Sequence, residues 1–134
     1  MLLAILTGVR PNLAWLYLPV PILQTTLFAF GVGVLIAALA VFFADILDIY
    51  EVLLGAFFYL TPIFYPVSIL PAQLMRLEQL NPMFQFIDGF RAPLLEGRLP
   101  DASGILLGTL AALVVTVLGW SLFTRLMDQF AYRA

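Results

Sequence analysis

Three stretches of the chain are free of charge and apolar enough to be read as membrane crossings. A bilayer core about 30 Å thick takes roughly 20 apolar residues of helix. No acid or base occurs between Arg10 and Asp45, and within that gap the pattern predicts a span over about residues 20–43, behind Pro19 and Pro21. The second span, over about residues 52–70, is interrupted by Pro62 and Pro66 and closes on Pro71, within TPIFYPVSILP. Proline lacks a backbone donor and clashes with the preceding turn, so a straight helix is expected to stop near Leu60. Broken backbone at membrane depth needs protein or a water-filled cavity around it. This span is therefore expected either to pack inside a bundle or to kink near the headgroups. The third span, over about residues 103–123, is unbroken, holds Gly104 and Gly108 at GxxxG spacing, and carries Trp120 near one end. GxxxG spacing lets helices approach closely, and Trp favours the membrane interface.

The segment between the second and third spans is different. Leu70, Leu74, Leu77 and Leu80 recur at helical spacing, with Gln73, Arg76 and Gln79 off that line. Asn81-Pro82 reads as a cap and a first turn. Met83, Phe86, Ile87, Phe90 and Leu94 then share one face, Pro93 is expected to bend the helix, and Gly97 to end it. Two short amphipathic helices after a proline-broken span predict a re-entrant hairpin over about residues 71–98, dipping into one membrane surface. The opening MLLAILTGV is apolar but too short to span, and no basic residue precedes it as in a signal peptide. It reads as the tail of a longer helix, so the chain is expected to be the C-terminal part of a larger protein. The fold class is all-α. We expect a polytopic integral membrane protein with about three full transmembrane helices, a re-entrant pair and a truncated N-terminal helix, within one domain of residues 1–134.

Composition sharpens this. Of 134 residues, 63% are hydrophobic and 10% charged, where a soluble domain carries about 25% charged residues. A soluble domain, a disordered chain and a nucleic-acid binder are excluded. There is no Cys and no His, and all 6 basic residues are Arg. Thiol and imidazole chemistry, thiolate or histidine metal sites, Schiff bases and a P-loop lysine are all absent. The net charge of −2 points to no particular partner.

The blocks FFADILDI (Phe42–Ile49), FFYLTPIFYP (Phe57–Pro66) and LNPMFQFIDGFRAPLLEGRLP (Leu80–Pro100) resemble, in order and spacing, one family. It is that of the type-2 ABC exporter permeases of polysaccharide, O-antigen and teichoic-acid export. The resemblance covers nearly the whole chain and corresponds to the C-terminal half of such a permease. It implies spans four to six of a six-helix subunit, and an outward-facing re-entrant pair. It also implies a homodimer in the bacterial inner or plasma membrane, a separate cytoplasmic ABC ATPase that binds the ATP, and a lipid-linked glycan as substrate. This chain itself would hold no cofactor and catalyse no reaction. One departure is Ala44, where the family often has Arg before the Asp of this turn. Orientation is a second tension. Arg10, Arg76, Arg91 and Arg98 fall on the side the family places outside, against Arg125 and Arg133 inside. The acidic neighbours Glu78, Asp88, Glu96 and Asp101 offset that tally, and the family orientation is adopted.

Three groups of residues are candidates for function. Asp45, Asp48 and Glu51 form an acidic turn between the first two spans. It would be either a contact for the ATPase or a solvated turn favoured by the helix dipole. Tyr59, Phe64, Tyr65 and Phe86 belong to an aromatic set that would either stack on sugar rings along a glycan path or act as interface belt and packing. Arg91 lies three residues after Asp88, as a site for a lipid diphosphate or as its ion-pair partner. Beside polysaccharide export stand two alternatives: a drug or lipid exporter of the same superfamily, and a small three-span membrane scaffold. An intramembrane enzyme is disfavoured by the missing His, Cys and Lys and by the lack of a carboxylate inside any span.

Overall fold

The computed structural model describes residues 13–61 and 79–130, all helix and turn with no strand among them. A short 3-10 turn, Leu13–Tyr17, leads into α1, Pro19–Ala40. Pro19 stands at the first helical position, where its missing N–H is no loss. The helix ends at Ala40, earlier than the hydropathy pattern predicts, and Val41 and Phe42 form a turn in which the N–H groups of Phe42 and Phe43 both donate to the Leu39 carbonyl. Helix α2, Ile46–Leu60, therefore starts before the second apolar stretch and takes in Asp48 and Glu51. It stops where proline requires. Thr61, the residue before Pro62, is extended at φ −82°, ψ 126°.

Helix α3, Pro82–Arg91, is capped as expected: the Asn81 side chain accepts from the Met83 N–H at 3.0 Å. Pro93 cannot donate back along this helix, and the next turn, Ala92–Glu96, widens into a π-helical one. It closes on Gly97 at φ 66°, a left-handed conformation that glycine adopts without strain. Helix α4, Ala102–Phe130, follows. Segments Leu13–Ala40 and Ala102–Met127 are long and apolar enough to cross a membrane. The truncated first helix and most of the first re-entrant helix lie outside the described residues.

The principal packing is between α1 and α4. Buried positions on α1 are Pro21, Gln24, Gly31 and Ala38, three and seven residues apart on one stripe. A Cβ at Gly31 would lie 2.5 Å from the Thr116 nitrogen and 2.6 Å from its Cα, so no side chain fits there. Gly119 meets the Gly31 carbonyl oxygen in the same way. Polar ties cross the seam: Thr116 Oγ1 donates to the Leu27 carbonyl at 2.8 Å, and Gln24 Nε2 to Thr109 Oγ1 at 2.7 Å and to the Ile105 carbonyl. Small residues and side-chain hydrogen bonds are how helices associate in lipid, where apolar burial gains little.

Contacts rise together along both helices: Gln24 meets Ile105 and Thr109, Leu27 meets Thr116, Gly31 meets Gly119. Helices α1 and α4 thus run parallel, and α3 sits against the first turns of both. Thr61, at the end of α2, accepts from Asn81 Nδ2 at 3.4 Å, which brings α2 back to the α3 end. Parallel helices require a return between them, and α2 leads it.

Gly31→Ala should lower the unfolding free energy by about 1–3 kcal/mol, as expected for overpacking. Gly33 has open space on all sides, with nothing within 4 Å of an added methyl group, and should tolerate Ala without loss. Thermal unfolding of the detergent-solubilised permease compares the two variants.

Candidate functional site

The α3 end of the α1–α4 pair gathers most of the buried polar and aromatic groups among the described residues. Gln24 is only 6% exposed, and its amide donates to Thr109 and to the Ile105 carbonyl at 3.1 Å. Phe86 lies above it, 3% exposed, edge-on to Phe28 with ring centres 5.2 Å apart. Gly108 lies beside this ring: a Cβ there would sit at ordinary contact distance, 3.4 Å from Phe86 and 3.5 Å from the Gln24 side-chain amide oxygen. Gly89 faces Pro21, and Gly104 faces the Gln85 side chain. The 3-10 turn with buried Trp15 packs against the π-helical turn. The GxxxG pair of α4 thus receives α3 and Gln24, while the close approach to α1 occurs further on, at Gly119.

Phe86, for which a glycan path and helix packing both stood open, lies in the interior, where its ring packs between helices. Tyr59 is 80% exposed, edge-on to Phe58 at 5.6 Å on a helix exposed all along Glu51–Tyr59. Phe64 and Tyr65 lie outside the described residues.

Asp88 is met by Arg98, ten residues on, at 3.2 Å. Helical spacing points to Arg91, three residues on, and does not disclose Arg98. Such spacing sees neighbours within a helix, whereas the π-helical turn and Gly97 fold the chain back and bring Arg98 alongside. Arg98 Nε also donates to Glu96. That hydrogen bond, with the Asp88 charge, pushes the guanidinium pKa further up, so the cation persists at any physiological pH. The pairs are open to solvent, with the Arg98 side chain 46% exposed, so they fix the turn's direction more than they stabilise the fold.

At the opposite end, Asp45 precedes α2 and Asp48 lies in its first turn, both exposed, as is Glu51. Negative charge at a helix start suits the dipole. Beside them opens an apolar groove of about 610 Å³ lined by Leu39, Phe42, Phe43, Ala44, Ile46 and Ile49, with Asp45 at its edge. No sequence pattern announces this groove, because it forms only where the chain turns from α1 into α2.

These features define an all-helical membrane protein whose parallel helix pair carries a short helix at one end and an acidic-edged groove at the other. The family model of the ABC-2 type transporters matches residues 1–95, and the chain belongs to that family. It is 27% identical to the O-antigen export system permease protein RfbA of Klebsiella pneumoniae over 125 residues, 92% of this chain and 48% of that protein. It is 34% identical to the protein of the same name from Myxococcus xanthus over 118 residues, 84% of this chain and 44% of that protein. The chain spans about half the length of the curated relatives it matches.

Phe86→Ala should destabilise by about 3–5 kcal/mol, the usual range for emptying a buried aromatic site. Tyr59→Ala should leave stability within about 0.5 kcal/mol, as for exposed positions. Denaturation of the purified permease separates packing aromatics from surface ones.

Proposed function

We propose that this chain is the membrane-embedded part of an ABC exporter permease that passes a lipid-linked polysaccharide outward across the bacterial inner or plasma membrane. The observation that carries the reading is its similarity, across 92% of its residues, to a permease named for O-antigen export. The helix arrangement supports it. Parallel α1 and α4 with α2 returning between them fit three crossings, with α3 on the outer face and the acidic turn in the cytoplasm. ATP hydrolysis would be supplied by an ABC ATPase partner, since these 134 residues include no Lys and no phosphate-binding loop.

In this reading the groove beside Asp45, Asp48 and Glu51 receives the ATPase, and closure of the ATPase dimer is passed into α1 and α2. The complete permease works as a homodimer, with the polymer passing between subunits and membrane lipid around them. Tyr59, with Phe64 and Tyr65, offers aromatic faces and hydroxyls to sugar rings. Arg91 stands near the outer surface, where a lipid diphosphate arrives.

Deleting the full-length permease gene in the source organism should abolish surface polysaccharide. Lipid-linked polymer should then accumulate at the cytoplasmic face, and the intact gene should restore export. Unchanged surface polysaccharide with altered drug sensitivity would replace this reading with drug export. No change in either would leave a membrane scaffold.

A further inference from the structure

Helix α3 is short and follows a proline-rich stretch, features that invite its description as a movable flap. Its contacts contradict that. Phe86 is buried between Phe28 of α1 and Gly108 of α4, so one ring is held by both long helices. Gly89 lies against Pro21 so closely that a Cβ there would be 3.0 Å from the proline Cβ. Gln85 reaches Gly104. Ala92 is fully buried, as is Pro93. The exit from α3 is then tied back by the Arg98–Asp88 pair. The helices that hold it are themselves joined backbone to backbone at Gly31, Thr116 and Gly119, a contact that allows no sliding without a clash.

We propose that α1, α3, the π-helical turn and α4 move as one rigid body during transport, so that α3 is a fixed wall and not a swinging gate. The inference rests on the export reading. Any change of access in this half of the permease then occurs along surfaces outside this body, such as the fully exposed stretch Glu51–Tyr59 of α2.

Cysteine cross-linking tests this in the full-length permease, made cysteine-free and expressed with its ATPase; the present chain already has 0 Cys. Pro21→Cys with Gly89→Cys places the two Cβ atoms slightly nearer than the roughly 3.5–4.5 Å a disulfide spans, so a small relaxation suffices. Gln85→Cys with Gly104→Cys, which meet only through the end of the glutamine side chain, is the second pair, bridged by a short bis-thiosulfonate cross-linker and used also if the first fails to accumulate. Under mild oxidation, or with the cross-linker, the bond should form to the same extent with and without ATP, and export should match that of the reduced form. Failure of both bonds to form in folded protein would overturn the proposal. So would a bond yield that depends on ATP, or an export loss that reduction reverses. Should the reduced permease not export polysaccharide at all, the export reading falls, while the nucleotide dependence of bond formation still decides whether the body is rigid.

Discussion

At Gly31, Thr116 and Gly119 two helices touch through their backbones, and the rest of the described structure is arranged around that contact. In lipid there is no apolar surface to hide from water, so α1 and α4 gain little from association except close packing and polar ties. Glycine at the crossing supplies the first. Gln24, Thr109 and Thr116 supply the second, with interhelical bonds worth about 0.6 kcal/mol each on average. Once the contact fixes the two helices parallel and in register, the positions of Gln24, Gly104 and Gly108 follow. Gly108 then lies beside Phe86, and Gly104 meets Gln85.

The parallel arrangement has a topological consequence. A chain whose first and last described helices run the same way must return between them. Helix α2 begins the return at the acidic turn, and the Thr61–Asn81 contact shows where it arrives. The molecule therefore has two chemically distinct ends. One is aromatic, capped and ion-paired around α3; the other is an apolar groove that Asp45 helps to line. This polarity of the molecule arises from helix direction alone.

How far the sequence discloses this depends on the range over which its signals act. Asn81, Pro82, Pro93 and Gly97 act through local backbone geometry, and the cap, the distortion and the helix end all occur where their chemistry places them. The stop of α2 at Leu60 is equally local, since Pro62 constrains the residue before it. Signals that need a partner elsewhere are not legible in this way. Spacing pairs Asp88 with Arg91 and is silent on Arg98, because helical spacing is the only distance a sequence supplies. Phe86 reads as either a path-facing or a packing aromatic, because nothing local announces that Phe28 and Gly108 lie beside it. Gly104 and Gly108 stand at a recognisable spacing, yet it is Gly31 and Gly119 that bring two backbones together. A spacing within one helix says nothing about which glycines meet another.

The sequence by itself determined that the chain is a helical membrane protein. Charge-free runs of bilayer length admit no other satisfied backbone, and the missing Cys, His and Lys remove most chemistry. Through its motif blocks it also carried the resemblance to the exporter permeases, and its membership of the ABC-2 type transporters bears that out. Only the tertiary structure decided which faces meet: that α1 and α4 are parallel and in contact at Gly31, that α3 is packed in at one end of the pair, and that a groove opens beside Asp45. These depend on shape complementarity between segments some eighty residues apart, as in the Gln24–Ile105 bond with its separation of 81. No periodicity within either segment encodes that fit.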